Sequence, residues 1–592
     1  MLNDEFSNEP TRQVFYLRLI IIIAIFLVVV RLFYLQVVKY KYYKGLASGN
    51  VIRLVKLEPV RGKIITADGV IVAGNKPTFN VYFRYSKRVD KREIELLSSI
   101  LGKDTRKLFT LIKPKRAKIL IAQNVDQETI LRLYTHQKEL SSVSVDIKPR
   151  RYYPYPFSFA HITGYLAQVH TKEENRVYST GEIVGKMAVE KKYDKYLRGK
   201  KGYREILVDA SGKKIKVLSE DKPISGKDIV LTINWQLQNY IYQAMQEFKG
   251  TVVVLDPRDG KILAMVSKPS YDPNLFISPV NKSKLNDIFK SNRGVLENKA
   301  IRGLYPPGSV LKPFIAAAAL DLGIINDKEE VNCPYSINVG IREYCDWKHG
   351  GFGEISVYKA IEGSSDVFFY LLGLQMGINN IDYYLYKFGF GRKCGLCDCE
   401  HKGIIPSPEW KLRKTGEKWY LGDTVSTVIG QGYTLVTPLQ MAVAYAALAN
   451  GGIIYRPYIV SLMGNKKIPT TIRWHIRKNK KVFDIVRKAM YLVVNGDSGT
   501  GKRARINGWD ICGKTGTSQV ISRLVAIDKF TNKKFMPHSW FASFAPMNNP
   551  QVVVVTLIEH GGAGGKAATL LTKKVYEKLI ELGYLKKDNQ SI

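Results

Sequence analysis

Three short strings hold the residue types of a serine nucleophile and its support: Ser309-Val310-Leu311-Lys312, Ser364-Ser365-Asp366 and Lys514-Thr515-Gly516-Thr517. A serine hydroxyl attacks poorly until a base takes its proton, and a lysine serves as that base only where burial and neighbouring cations depress its pKa. Positions three apart share a helix face, so Ser309 and Lys312 would project together from a helix start. Free backbone N–H groups there also suit an oxyanion. Ser364 would shuttle a proton, and Asp366 would hold a substrate amide or orient Lys312. Lys514 would attract the carboxylate of an acyl donor, Thr515 and Thr517 would bond it, and Gly516 would let the ligand approach the backbone. Each string alone has a plainer reading: an ordinary helix surface, a serine helix cap, a turn in a basic strand. Their company favours one acyl-transfer site.

The surrounding residues predict the elements that position these groups. Pro306-Pro307-Gly308 punctuates a helix start before Ser309, and the apolar, Ala-rich stretch 314–320 sustains the helix. Ser364 follows Glu362-Gly363 and precedes Val367-Phe368-Phe369-Tyr370, a turn or helix start above a buried segment. Lys514 opens an edge-strand pattern that continues through Ser518-Gln519-Val520. Residues 251–255 and 262–266 are β-branched runs around Asp256-Pro257-Arg258-Asp259-Gly260, a strong hairpin signal. Further strands are predicted at 229–233, 540–545 and 552–558, and helices at 236–248 and 567–582. Strands at both ends around a helical middle imply an antiparallel sheet flanked by helices. Between about 50 and 230, short β runs such as 61–65, 70–73 and 79–83 alternate with amphipathic stretches at 93–101 and 127–133. That region carries no catalytic cluster and reads as a spacer.

At 592 residues the chain exceeds what one hydrophobic core supports. Lys and Arg outnumber Asp and Glu by 90 to 52, which favours anionic partners. No zinc-finger spacing or RNA-recognition signature points to nucleic acid, so a membrane surface or an acidic polymer accounts for the charge. Residues 19–38 are apolar apart from Arg31 and Gln36, close to the roughly 20 residues that cross a bilayer. Arg31 would snorkel to an interface, and with no small-residue cleavage site after it the segment reads as an uncleaved anchor in lipid. Orientation is a conflict: Arg12 and Arg18 precede the span among three acids, whereas Arg31, Lys39, Lys41 and Lys44 follow it. The positive-inside rule alone would leave the bulk of the chain in the cytoplasm, and the chemistry argues the reverse. The expected organisation is multidomain α+β: a tail over 1–18, a transmembrane helix over 19–38, a mixed α/β pedestal over 39–235, and a catalytic domain over 236–592.

The chain resembles the penicillin-binding transpeptidases, and within them the class B penicillin-binding protein 2 group. Beside the three strings, the resemblance rests on Gly303-Leu304-Tyr305-Pro306-Pro307-Gly308-Ser309, Gly430-Gln431-Gly432-Tyr433, Thr437-Pro438-Leu439-Gln440-Met441 and Glu559-His560-Gly561-Gly562-Ala563-Gly564. Arg31-Leu32-Phe33-Tyr34-Leu35-Gln36 and Arg61-Gly62 extend it to the anchor and pedestal. It implies that Ser309 attacks the penultimate D-Ala carbonyl of a peptidoglycan stem peptide with Lys312 as base. Terminal D-Ala leaves, protonated through Ser364 and Lys312, and an amine of a second stem takes the acyl group. It implies an oxyanion hole at the N–H groups of Ser309 and Thr517, acylation of the same serine by β-lactam antibiotics, and a dimerisation-type pedestal. It implies a single-pass protein of the bacterial inner membrane with its catalytic domain in the periplasm, working in cell-wall elongation beside a SEDS-type glycan polymerase. Asp366 stands where Asn is commoner in the family.

Five of the six cysteines lie between 333 and 399. Cys394-x-x-Cys397-x-Cys399-x-His401 has ligand-like spacing. The resemblance also implies a zinc site in type 2 relatives, where Cys333 and Asp346 match ligand positions. Phe352 stands where a relative's His is expected, and Cys345 or His349 would compensate. A structural zinc therefore competes with disulfides and free thiols, and Cys512 reads as a packing residue. No other cofactor is expected. The alternatives to crosslinking are a D,D-carboxypeptidase or serine β-lactamase, in which water takes the acyl group, and a β-lactam sensor or inactive scaffold. The long pedestal, the anchor and the complete catalytic set weigh against them.

Overall fold

The computed structural model describes residues 9–44, 52–84, 90–112, 118–169, 178, 181–208, 214–277, 282–290, 294–476, 480–519 and 536–587. Near the N-terminus, the helix Glu9–Phe33 continues through a π turn, Tyr34–Val38. Residues Val14–Val38 are long and apolar enough to cross a membrane, and the protein buries none of that stretch.

The chain divides into two compact units, and the division is not contiguous along the sequence. One comprises 1–60, 77–150 and 199–225; the other comprises 61–76, 151–198 and 226–592. Residues 61–76 and 151–198 pack in the same unit as the catalytic strings. The smaller unit contains an antiparallel sheet of Ile52–Leu57, Gly202–Val208 and Lys214–Asp221. Its core gathers Val81, Phe83 and Ile121 from strands with Ile94, Leu97, Leu108 and Ile130 from helices.

The larger unit is built on a five-stranded antiparallel sheet in the order Ile262–Lys268, Gly250–Leu255, Val552–Ile558, His538–Ala545, Cys512–Ser518. Successive side chains point to opposite faces, and both faces are covered, which is why these strands read as unbroken apolar runs. Val252 and Val254 enter one core with Leu237 and Ile241 of helix Trp235–Ala244 and Leu571, Val575 and Leu579 of helix Ala567–Glu581. Val253, Leu255, Val553 and Val555 enter the other, which holds the helices Lys312–Asp321, Asp366–Lys387 and Pro438–Ala449. The hairpin around Asp256–Gly260, the closing helix and the edge strand match the sequence expectation. Two small antiparallel strand pairs, Glu330–Cys333 with Gly353–Ser356 and, nested between them, the hairpin Ser336–Val339 with Arg342–Cys345, interrupt the helical middle. Within a seven-stranded sheet, Ile229–Leu231 joins distant segments, pairing in parallel with Ile64–Ile65 and antiparallel with Val460–Met463.

Candidate active site

Ser309 lies in a 3₁₀ turn, Gly308–Leu311, which runs directly into the α-helix Lys312–Asp321. Residues 312–319 are buried all round, so the helix is a central rod and its apolar faces cannot shift without opening the core. Gly308 adopts φ +58°, and a side-chain carbon there would stand 2.8 Å from the Thr517 carbonyl oxygen. Only glycine tolerates both demands. From the other side, a carbon on Gly516 would stand 2.9 Å from the Val310 side chain and 3.0 Å from the Pro307 carbonyl oxygen. The nucleophile turn and the Lys514–Thr517 strand therefore touch backbone to backbone. Pro306 reinforces the seam, its carbonyl accepting from Ser518 Oγ at 2.5 Å and Trp540 Nε1 at 3.0 Å.

Lys312 is fully buried, and its ammonium meets Asp366 Oδ1 at 2.7 Å, Ser364 O at 2.8 Å, Ser365 O at 3.2 Å and Ser364 Oγ at 3.3 Å. Three hydrogens cannot serve four acceptors at once, so the longest contact, to the Ser364 hydroxyl, is the one left open to exchange. Of the groups around it, Asp366 is the charged one that Lys312 meets directly. Ser365 caps the helix Asp366–Lys387, accepting from Phe368 N–H at 3.2 Å. Ser364, one residue earlier, takes φ +62°, a left-handed conformation uncommon outside glycine. Capping and catalysis thus fall to adjacent serines, and the left-handed turn aims Ser364 at Lys312 while the helix begins behind it.

Lys514 is also fully buried, and its Nζ donates to Thr515 O at 3.2 Å. Burial pulls its pKa well below the ordinary lysine range, the Lys312 charge adds to the effect, and Asp366 opposes it. A closed-off ammonium acts on a carboxylate and on Lys312 through its field rather than by contact. Thr517 is exposed, Gly516 is buried, and Thr515 Oγ1 shares a 2.8 Å hydrogen bond with Thr500 Oγ1. Thr517 Oγ1 accepts from Gly564 N–H at 3.0 Å.

Several residues of this assembly carry no motif. Glu362 is buried and accepts from Ser498 N–H at 2.9 Å, tying the Ser364 turn to the loop that presents Thr500 to Thr515. Asp346 accepts from Ser365 Oγ at 2.8 Å, Val367 N–H at 3.1 Å and Trp347 N–H at 2.7 Å. Its carboxylate is spent on holding the Ser364–Asp366 turn. Among the described residues, no three His, Cys, Asp or Glu side chains converge as a metal donor set. Cys333, Cys345, Asp346 and His349 form no such set, and His349 stacks on Tyr335. Cys397 and Cys399 form a disulfide, which removes them from the ligand-like string that ends at His401. Cys333, Cys345, Cys394 and Cys512 are free thiols, and Cys512 is packed in the core.

Two family models match: the penicillin binding protein transpeptidase domain over residues 250–577, and the penicillin-binding protein dimerisation domain over 56–231. The chain is 33% identical over 589 residues to the peptidoglycan D,D-transpeptidase MrdA of Acinetobacter baumannii, covering 95% of this chain and 87% of that protein. Its fold superposes with a TM-score of 0.80 on a penicillin-binding protein, PBP2, solved in complex with MreC from Helicobacter pylori, at 29% identity and covering 90% of this chain and 99% of that one. A structure of a peptidoglycan synthase complex, solved for how it coordinates polymerization and crosslinking, matches at TM-score 0.75 and 25% identity, covering 98% of this chain and 100% of that one. With its serine, lysine and edge strand assembled at one seam and both domains matched in order, the chain belongs to the penicillin-binding transpeptidase family, in the branch of PBP2.

Proposed function

We infer that this protein is a peptidoglycan D,D-transpeptidase that crosslinks stem peptides through an acyl-enzyme on Ser309. The observation that carries this is the buried Lys312 ammonium, bonded to Asp366 and within 3.3 Å of the Ser364 hydroxyl, one helical turn beyond Ser309. In the forward step Lys312 acts as the neutral amine, one of its three hydrogens having first been given up to solvent; Ser309 Oγ bonds to the penultimate D-Ala carbonyl carbon, and the Ser309 proton passes to that amine. The tetrahedral oxyanion sits between the N–H groups of Ser309 and Thr517, preorganised donors of the kind whose loss costs about 10²–10³ in rate. The C–N bond to terminal D-Ala breaks as Lys312, through Ser364, returns the proton to the leaving amine. A second stem's amine then attacks the ester carbonyl, gives up a proton along the same path, and Ser309 regains its hydrogen. Lys514, held among Lys312 and Asp366, adds positive potential where the donor's terminal carboxylate and the oxyanion develop.

The anchor would hold the enzyme at the inner membrane with the catalytic unit in the periplasm, because the substrate is a wall polymer on that side. This orientation sets substrate location against the basic residues that follow the span. The match to a peptidoglycan synthase complex and to a PBP2 bound to MreC supports elongation partners, with a SEDS-type glycan polymerase supplying new strands. Labelling with a fluorescent penicillin tests the core of this reading. The wild type takes up a covalent label and Ser309→Ala takes up none; an unlabelled wild type, or labelling that survives the substitution, overturns it. Incubation with paired stem peptides should yield the crosslinked dimer and free D-Ala rather than trimmed monomer alone.

A further inference from the structure

Glu559 lies outside the three catalytic strings, at the end of the sheet strand Val552–Ile558, yet it touches both walls of the seam that holds Ser309. Its Oε1 accepts from Tyr305 OH at 2.6 Å and forms an ion pair with Lys299, both partners being mostly buried. Tyr305 stands four residues before Ser309, its backbone pairs with Val436, and the carbonyl of the next residue, Pro306, is gripped by Ser518 and Trp540. On its C-terminal side, Glu559 starts the segment 559–565. Gly564 N–H in that segment donates to Thr517 Oγ1 at 3.0 Å, and a side-chain carbon on Gly564 would run into the Gly516 carbonyl.

Two histidines stiffen the same segment. His560 N–H donates to His538 Nδ1 at 3.1 Å, while His560 Nδ1 lies 3.0 Å from the Met536 carbonyl, which can only accept. Burial first, then the neighbouring His560 and Lys299, bring the His538 pKa down to about 4, so its Nδ1 keeps the lone pair this contact uses. The His538 ring meets Tyr305 edge-on at 5.4 Å. Burial disfavours ionisation of Glu559, but Lys299 and the Tyr305 hydroxyl outweigh it and hold the carboxylate below its ordinary pKa. A buried ion pair adds little net stability, since desolvation offsets the attraction. What this one fixes is position.

We propose that Glu559 is a positioning residue of acyl transfer: held by Lys299 and Tyr305, it sets the spacing between the Ser309 turn and the Thr517 strand. This rests on the assignment of the oxyanion hole to the N–H groups of those two residues. Loosening Glu559 leaves every reacting group present but widens the gap that the oxyanion must bridge, and a small misplacement of such donors is costly.

Stopped-flow acylation by a fluorescent penicillin separates the encounter Kd from the acylation rate constant. For Glu559→Gln the rate constant should fall about 10-fold, with the encounter Kd within about twofold of wild type. Tyr305→Phe, a milder loss from the same cluster, should fall in the same direction. In a Thr517→Val background, which already lacks the hydroxyl that Gly564 bonds, Glu559→Gln should cost much less than in the wild type. A wild-type rate constant in Glu559→Gln, a loss confined to Kd, or full additivity with Thr517→Val overturns the proposal. If Glu559→Gln does not fold, Tyr305→Phe decides by the same readout. A wild type that takes up no penicillin at all would instead strike at the acyl-transfer reading itself.

Discussion

Lys514 shows at the scale of one residue how the site trades stability for chemistry. Its ammonium is fully buried beside Lys312, with one backbone carbonyl and the field of Asp366 to compensate. Because its folded pKa lies below the unfolded value of 10.5, the unfolded chain binds the extra proton between pH 10.5 and the lower folded value. Stability from this group is therefore complete only above pH 10.5 and is lost as pH falls. Lys514→Met should abolish penicillin acylation yet raise Tm at pH 7, by about 2 °C or more. The gain should shrink as pH approaches 10.5, which calorimetry across that range would check. Ser364 carries a second local cost, its left-handed φ of +62°, retained where it aims the hydroxyl at Lys312.

At the scale of an element, the helix Asp366–Lys387 serves the site with its first turn and the core with its remainder. Its path breaks at Gly377, where φ is +69° and ψ +155°, and beyond the break Asp382 is buried with no hydrogen-bond partner on Oδ1. Burial, with Glu409 nearby, raises the Asp382 pKa to about 7. The sign is opposite to that of a salt-bridged acid: the carboxyl is favoured while protonated, so its contribution is complete below pH 3.8 and lost as pH rises through about 7. Asp382→Asn, neutral at every pH, should match the wild-type Tm below pH 3.8 and exceed it at pH 8, with acylation unchanged. Equal pH dependence in the two proteins would count against a neutral Asp382.

For the whole molecule, the decisive contacts join segments far apart in the chain. Glu190 is buried and receives Arg151 Nε at 2.7 Å, Arg61 Nη2 at 2.6 Å and the Tyr153 hydroxyl at 3.1 Å, and Arg61 also reaches Asp194 at 2.7 Å. These residues sit where the chain enters or leaves the larger unit, at 60/61, 150/151 and 198/199. Removing the shared acid leaves two guanidiniums without their main partner. Glu190→Ala should cost about 3–5 kcal/mol in chemical denaturation, far beyond an exposed acid such as Glu58, and Glu190→Gln should cost less.

Residue type, spacing and hydrophobic period were enough to read the catalytic strings, the flanking sheet strands, the hairpin around Asp256–Gly260 and the apolar anchor, because each is written within a few consecutive positions. The edge strand at Lys514 and the cap at Ser365 follow from the same local rules. Tertiary structure alone decided what joins distant positions. Lys312 finds Ser364 and Asp366 across 52 to 54 residues, Asp346 holds the Ser364 turn, and residues 61–76 and 151–198 pack with the catalytic unit. The bond from Tyr305 to Glu559 spans 254 residues. Such contacts depend on which side chains meet after packing, and a pairing between remote buried groups leaves no periodic trace in the chain that encodes it.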